Sequence, residues 1–141
     1  MELQLTNQFF LTSSEVGESV QGLIGVTNNT TSNITVDVFW CMGTWDGVSN
    51  FGVRAYVLEE GITFTGQTSW MHKTYAFYTP DEVGTWDLMA ILADNVEWEG
   101  DNLKVEGQRG TFMEEDAWTI TGAVTPPPED LEITSLGVEV V

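Results

Sequence analysis

Apolar and polar residues alternate with a period of two through most of this 141-residue chain. The clearest case is residues 34–40, in which large apolar side chains recur at every second position: Ile34, Val36, Val38 and Trp40. A β-strand presents successive side chains on opposite faces, so this pattern predicts strands with one face in a core. Hardly any segment has an apolar repeat near 3.6 with helix-capping residues. We therefore predict an all-β fold.

Further strands are predicted wherever short apolar runs are separated by turn residues. They cover residues 3–6, 20–26, 51–58, 68–78, 86–92 and 117–124. Loops are predicted at 43–50 and 59–61. The acidic stretch 94–116 is predicted to hold only weak strands, at 103–105 and 111–113. The total is roughly seven to nine strands, at the spacing typical of an antiparallel sandwich.

Residues 75–92 predict two strands joined by a tight corner, because Pro80 has no N–H for a ladder and Gly84 permits a sharp turn. Within it, Glu82-Val-Gly-Thr-Trp86 resembles the Asp-x-Gly-x-Tyr corner of immunoglobulin-like domains, with Glu for Asp and Trp for Tyr. The resemblance implies an immunoglobulin-like β-sandwich in which Trp86 begins strand F. Trp40 then takes the place of the strand C tryptophan. We expect Val38, Trp40, Trp86 and Leu88 in one core.

Residues 25–102 also resemble cell-adhesion-related (CARDB-type) β-sandwich modules. The likeness is carried by Asn28-Asn29, by Ile34-x-Val36-x-Val38, and by the run Gly-x-Trp-x-Leu-x-Ala-x-Leu-Ala-Asp-Asn at 84–95. Such modules usually occur as repeats in secreted proteins, and this chain carries one copy. The resemblance implies a fold and no particular activity.

The chain is predicted to divide into a sandwich at residues 1–125 and an arm at 126–141. Three prolines at 126–128 impose a stiff, extended spacer. Residues 131–141 then alternate like a strand. An unpaired strand exposes backbone N–H and C=O groups, and the prolines prevent a short hairpin back onto the domain. We therefore predict that the arm adds a strand to a neighbouring chain, through the partner-binding residues Leu131, Ile133, Leu136, Val138 and Val140.

The net charge is −18, from 22 acids against Arg54, Lys73, Lys104 and Arg109. A surface this acidic repels phosphate backbones, so we expect no binding to nucleic acid. No apolar run reaches transmembrane length, and residues 1–6 show no leader peptide. The chain is then cytoplasmic, has lost a leader, or leaves the cell inside a virus particle.

Candidate catalytic residues are few, and we predict neither an enzyme nor a cofactor. His72 is the only histidine, and Ser69 would lie on the opposite face of the same strand. Cys41, the only cysteine, excludes an internal disulfide and is predicted to be buried. A catalytic Cys41–His72 pair would require the fold to bring these two residues together, which the sequence does not show. The sequence has no Gly-rich phosphate loop and no zinc spacing.

Two kinds of binding chemistry stay open. Residues 95–106 match EF-hand spacing loosely, with Gly100 sixth and Glu106 twelfth, and acids at 94, 97, 99 and 101 offer oxygen ligands. We favour a solvated acidic loop over a calcium site.

Sugar binding would use exposed aromatics, and Trp45, Trp70 and Trp98 lie in or near predicted loops. Tryptophans at the ends of sandwiches also serve as core plugs or subunit contacts.

These patterns favour a non-enzymatic structural subunit of a large assembly. We expect a virion protein, as capsid decoration or tail, that forms a homo-oligomer or docks on a capsid or tail protein through its arm. The alternative is an extracellular adhesion or carbohydrate-binding module of a surface protein.

Overall fold

A computed structural model describes residues 3–6, 13–74, 81–99, 102–122 and 137–140. These residues contain no helix and form eight strands: β1 (Leu3–Thr6), β2 (Ser13–Glu15), β3 (Leu23–Asn28), β4 (Ile34–Trp45), β5 (Phe51–Phe64), β6 (Thr68–Lys73), β7 (Gly84–Glu99) and β8 (Asn102–Thr121). One sheet has the order β1-β3-β6 and the other the order β2-β8-β7-β4-β5. All pairs are antiparallel except β2 with β8. The prediction of an all-β sandwich is confirmed.

The strand order is that of an immunoglobulin-like sandwich. In such domains the strands A, B, E and D form one sheet and C, F and G form the other, with C′ added beside C in the variable type. Here β1, β3 and β6 take the places of A, B and E, and β8, β7, β4 and β5 take those of G, F, C and C′. Strand D would follow C′, but only residues 65–67 separate β5 from β6. The described residues therefore include no strand D between β5 and β6.

The two sheets enclose a core to which both contribute alternate residues. Val38, Trp40 and Leu88 are buried in this core, and Trp86 is half-buried and packs against it. The predicted sharing of one core by these four residues is confirmed. β6 and β7 belong to different sheets, so the segment between them carries the chain from one sheet to the other. Residues 75–80 of the predicted corner lie outside the described residues.

Four strands are longer than the sequence predicted. β4 runs through Trp45, so the predicted loop at 43–50 is reduced to residues 46–50. β5 continues through residues 59–61, which were predicted to end it. The acidic stretch 94–116 was predicted to be weakly structured, yet it lies almost wholly in β7 and β8. The two strands pair through their backbones from Gly84↔Ile120 to Glu99↔Asn102. This pairing keeps the acidic stretch in strands, although most of its side chains are polar and do not predict a strand.

Two aspartates complete the backbone hydrogen bonding where the ladders slip. Asp37 lies at the irregularity between Val36 and Val38, and its carboxylate accepts from the N–H groups of Val96 (3.0 Å) and Gly61 (3.3 Å). Asp87 lies at the irregularity between Trp86 and Leu88, and it accepts from Trp45 N (2.6 Å) and Asp116 N (2.7 Å). A β-bulge leaves backbone donors unpaired, and these carboxylates satisfy them.

The end of the β7–β8 hairpin folds over the outer face of the five-stranded sheet. β4 pairs with β7 only as far as Ala93, and beyond it β7 and β8 continue as a two-stranded extension. The register slips between Leu92 and Ala93 at the bend, and Gly107 there has a φ of +66° and no space for a Cβ beside Asp94. Trp98 near the tip stacks on Phe39 and Tyr56, with ring centroids 5.9 and 4.9 Å apart. A second apolar cluster is thereby buried outside the main core.

Candidate ligand-binding groove

A groove of about 520 Å³, open to solvent, lies where β5 passes into β6. We call it the β5–β6 groove, and it is lined by Gly61, Ile62, Thr63, Trp70, Met71, His72 and Lys73. β5 is the last strand of its sheet and β6 the last of the other. Within the described residues, both strands present an unpaired backbone edge on this side of the sandwich.

Trp70 is the most exposed aromatic ring at the groove. All six tryptophans lie in the described part of the chain. Among them only Trp70 is exposed, with 63% of its surface accessible to solvent. Alternation along β6 puts Trp70 on the same face as His72, which is buried against Phe64. The indole therefore points toward the space between the sheets, at a place that the core does not fill. The predicted sugar candidates Trp45 and Trp98 are both half-buried.

One residue that lines the groove, His72, belongs to a buried polar pair. His72 Nε2 lies 2.7 Å from Glu59 Oε1, and each residue is only 7% exposed. Glu59 belongs to β5 and His72 to β6, so this contact ties the two sheets together across the open side of the sandwich. A buried polar pair lowers the stability of the folded state little while both members are hydrogen-bonded. Removing one member lowers the stability much more, because the other is left buried without a partner. It fixes the relative position of the two strand edges.

Lys73 gives the groove its positive charge. Of the four cationic side chains, Arg54 pairs with Glu82 (2.6 Å), Arg109 with Asp94 (2.8 Å) and Lys104 with Glu106 (3.5 Å). Among the described residues, Lys73 has no carboxylate within ion-pair distance, and it is exposed. In a chain of net charge −18, this ammonium group is the local feature that favours an anionic ligand.

The predicted partner-binding arm is described only in part. Leu131, Ile133 and Leu136 lie outside the described residues. Val138 and Val140 are 100% and 94% exposed, and residues 137–140 belong to no strand within this single chain. Docking of the arm on another molecule stays a prediction.

The structure separates the residues that were considered for catalysis. Cys41 is fully buried in the outer cluster, and burial raises the pKa of its thiol to about 12. His72 lies in the gap between the sheets, on the other side of the five-stranded sheet from that cluster. Ser69 Oγ is 3.0 Å from Thr27 Oγ1, on the face of β6 opposite His72, as predicted. No nucleophile–base pair is formed by these three side chains.

The segment considered for calcium is a β-hairpin. Residues 95–99 pair with 102–106, and Asp94 is held by Arg109, with Oδ1 2.8 Å from the guanidinium Nε. Gly100 and Asp101 lie outside the described residues. Across the described part of the chain, no group of three or more His, Cys, Asp or Glu side chains is arranged to hold a metal ion. The helix–loop–helix geometry of an EF-hand is not what these residues form.

The groove was missed by sequence reasoning except for Trp70 and His72. Glu59 was placed in a predicted turn, and Lys73 was noted only as a charge. The available signal was the order Trp70-Met-His72-Lys73, which puts a tryptophan and a histidine on one face of a strand. That order does not show that the edge of β6 lacks a neighbouring strand among the described residues. This depends on the length of the β5–β6 connection and on the strand order of the folded sheet.

Comparison with known proteins adds no family. No protein-family description matches the chain, and no curated protein matches it. Among solved structures, it is similar to the ligand-binding region of serine-glutamate repeat protein A of Enterococcus faecium, at 17% identity and a TM-score of 0.38. That match covers 87% of this chain and all of the other. At this similarity it carries no argument about function. The predicted CARDB-type likeness gains no family match, and the β-sandwich architecture is the part that the structure confirms.

The described residues include no helix long and apolar enough to span a membrane.

Proposed function

We propose that this protein is a non-enzymatic binding module of the adhesion type, and that it captures an extended polypeptide segment in the β5–β6 groove by strand addition. The observation that carries the proposal is the direct connection of β5 to β6 by residues 65–67. It omits strand D, so the edge of β6 that strand D would cover in an immunoglobulin-like domain has no strand beside it among the described residues.

Strand addition needs an accessible backbone edge for affinity and side-chain contacts for specificity. β6 supplies the edge over residues 68–73. Trp70 supplies an apolar ring that an incoming side chain would cover, and Ile62 is half-buried on the facing strand. Natural sheets protect such edges with charges, prolines or bulges. β6 contains no proline, and Lys73 is its single Lys or Arg residue.

Carbohydrate is the second candidate ligand, and the exposure of Trp70 favours it. A flat indole with 63% of its surface free can stack on a sugar ring. The virion role predicted from the sequence, as capsid decoration or tail protein, is a third possibility. Adhesion is preferred because the groove lies on the domain itself.

A binding array tests the proposal. The full-length protein would be applied to immobilised extended peptides of acidic, basic and apolar sequence, and to neutral and acidic oligosaccharides. We expect retention on one or more peptides, and loss of at least about tenfold in affinity in a Trp70→Ala variant. Val48→Ala is the matched control, since Val48 is 82% exposed and does not line the groove.

The outcomes separate the candidates. Binding to peptides that depends on Trp70 supports strand addition, and binding only to oligosaccharides that depends on Trp70 supports the carbohydrate alternative. Binding that Trp70→Ala leaves unchanged, or no binding at all, contradicts the groove as the site.

A further inference from the structure

We infer that the segment taken up by the β5–β6 groove is the C-terminal arm of a second copy of this chain, residues 129–141, which adds a strand to the free edge of β6. This inference rests on the proposed function, because it names the occupant of the same groove. Its starting point is the exposure of residues 137–140, where Val138 and Val140 make almost no contact with their own chain. Two large apolar residues two positions apart are the pattern of a strand with one buried face.

The faces of the arm and of β6 match. In a strand built from residues 136–140, Leu136, Val138 and Val140 share one face and Glu139 lies on the other. On β6, Trp70 and His72 point toward the space between the sheets, while Met71 and Lys73 point the opposite way. A paired strand whose apolar face covers Trp70 therefore presents Glu139 on the same face as Lys73.

Charge selects this arrangement. The arm contains Glu129, Asp130, Glu132 and Glu139, and no Lys or Arg occurs after Arg109. Lys73 lines the groove, and among the described residues no carboxylate lies within ion-pair distance of it. On a chain of net charge −18, an acidic arm is favoured most beside a cation that has no ion pair within the described residues. Lys73 therefore sets where the arm docks and in which register.

Exchange of arms between two copies uses the same two surfaces twice. If each arm docks on the other copy, the contact closes into a two-fold dimer; if the arms pass in one direction, the chains form an open filament. Both forms dissociate on dilution, and both are inhibited by a free arm peptide.

Charge reversal in the full-length protein tests the inference, with sedimentation velocity over a concentration series as the readout. Native protein should self-associate. Lys73→Glu and Glu139→Lys should each weaken self-association by about ten- to one-hundredfold, because each places like charges together. The double variant should recover most of the native association. A synthetic peptide of residues 129–141 should dissociate the native assembly and bind the Lys73→Glu variant less tightly.

The controls match the charge changes away from the groove. Lys104→Glu changes the net charge by the same amount as Lys73→Glu, and Glu115→Lys by the same amount as Glu139→Lys. Lys104 and Glu115 are exposed residues of β8, and neither substitution should change self-association. Circular dichroism and a thermal melt of each variant verify the fold. Native protein that stays monomeric, or a double variant no better than the singles, would overturn the inference. If the array peptides or sugars still bind in a Trp70-dependent way, the proposed function survives that failure; if they do not, both fall together.

Discussion

At the scale of single residues, Cys41 shows how burial governs chemistry. Cys41 is fully buried, and desolvation raises the pKa of its thiol to about 12 from an ordinary value of 9.0. The thiolate is the reactive form, so its population near neutral pH is negligible in the folded state. We predict that iodoacetamide at pH 8 labels Cys41 slowly in native buffer and rapidly in about 6 M guanidinium chloride. Rapid labelling of the native protein, with unchanged circular dichroism, would contradict the burial.

The same thiol predicts a pH dependence of stability. Its folded pKa lies above the unfolded value, so the folded state holds the proton more tightly and the unfolded state loses it first. The stabilisation is therefore complete below about pH 9 and is lost as the pH rises toward 12. Urea denaturation of native protein and of Cys41→Ala between pH 8 and about 10.5 should give curves that converge, by about 1.4 kcal/mol for each pH unit above 9. Parallel curves would show that Cys41 does not titrate differently on folding.

Gly22 is required by the ring that packs on it. A Cβ at this position would lie 2.7 Å from Trp40 Cδ2, and the Trp40 ring is buried in the core, where it has little freedom to move. We predict that Gly22→Ala lowers the free energy of unfolding by about 1–3 kcal/mol, the usual cost of overpacking. The control is Gly122→Ala, whose Cβ would make only one ordinary contact, 3.8 Å from Val83. Equal stability of the two variants in urea would mean that Trp40 has space to adjust.

At the scale of elements, the β7–β8 extension is held down by its tip. Trp98 covers the buried Phe39 and stacks on Tyr56. We predict that Trp98→Ala lowers the free energy of unfolding by about 2–3 kcal/mol and increases binding of the dye ANS, because the outer cluster becomes exposed. Trp70→Ala removes the same side chain from an exposed site and should change stability by less than about 0.5 kcal/mol. A similar loss in both variants would show that the extension does not cover the cluster.

The contact between the edges of β5 and β6 depends on Glu59. Replacing Glu59 by Ala removes the hydrogen-bond partner of the buried His72 Nε2, so we expect the free energy of unfolding to fall by about 1–3 kcal/mol. The neighbouring exposed residue gives the control, Glu60→Ala, which should be within about 0.5 kcal/mol of native. Chemical denaturation followed by circular dichroism measures both. If the two variants are equally stable, the Glu59–His72 contact does not hold the strand edges in place.

At the scale of the whole molecule, charge repulsion opposes compaction. Four cations can neutralise at most four of the 22 acids, so at least 18 carboxylates repel one another across the surface. Salt screens this repulsion, and the few exposed ion pairs that it also weakens contribute little. We predict that raising NaCl from about 10 mM to 0.5 M increases Tm by several degrees. MgCl2 at equal ionic strength tests for divalent binding: a much larger increase would indicate a specific site, and a Tm that falls with salt would contradict the repulsion argument.

The sequence by itself determined the fold class, because the period of two along residues 34–40 and 86–92 allows few structures other than a strand in a sandwich. It also determined that Val38, Trp40 and Leu88 share a core, since alternation assigns a face to each side chain. The sequence did not predict the strand lengths where backbone pairing keeps polar residues in a strand, as in the β7–β8 extension. The groove was decided by tertiary structure alone. Trp70 is exposed because three residues join β5 to β6 and, in the part of the chain that the structure describes, no strand covers that edge. This depends on which strands become neighbours after folding. Alternation reports the faces of a strand, whereas a free edge is a property of the sheet.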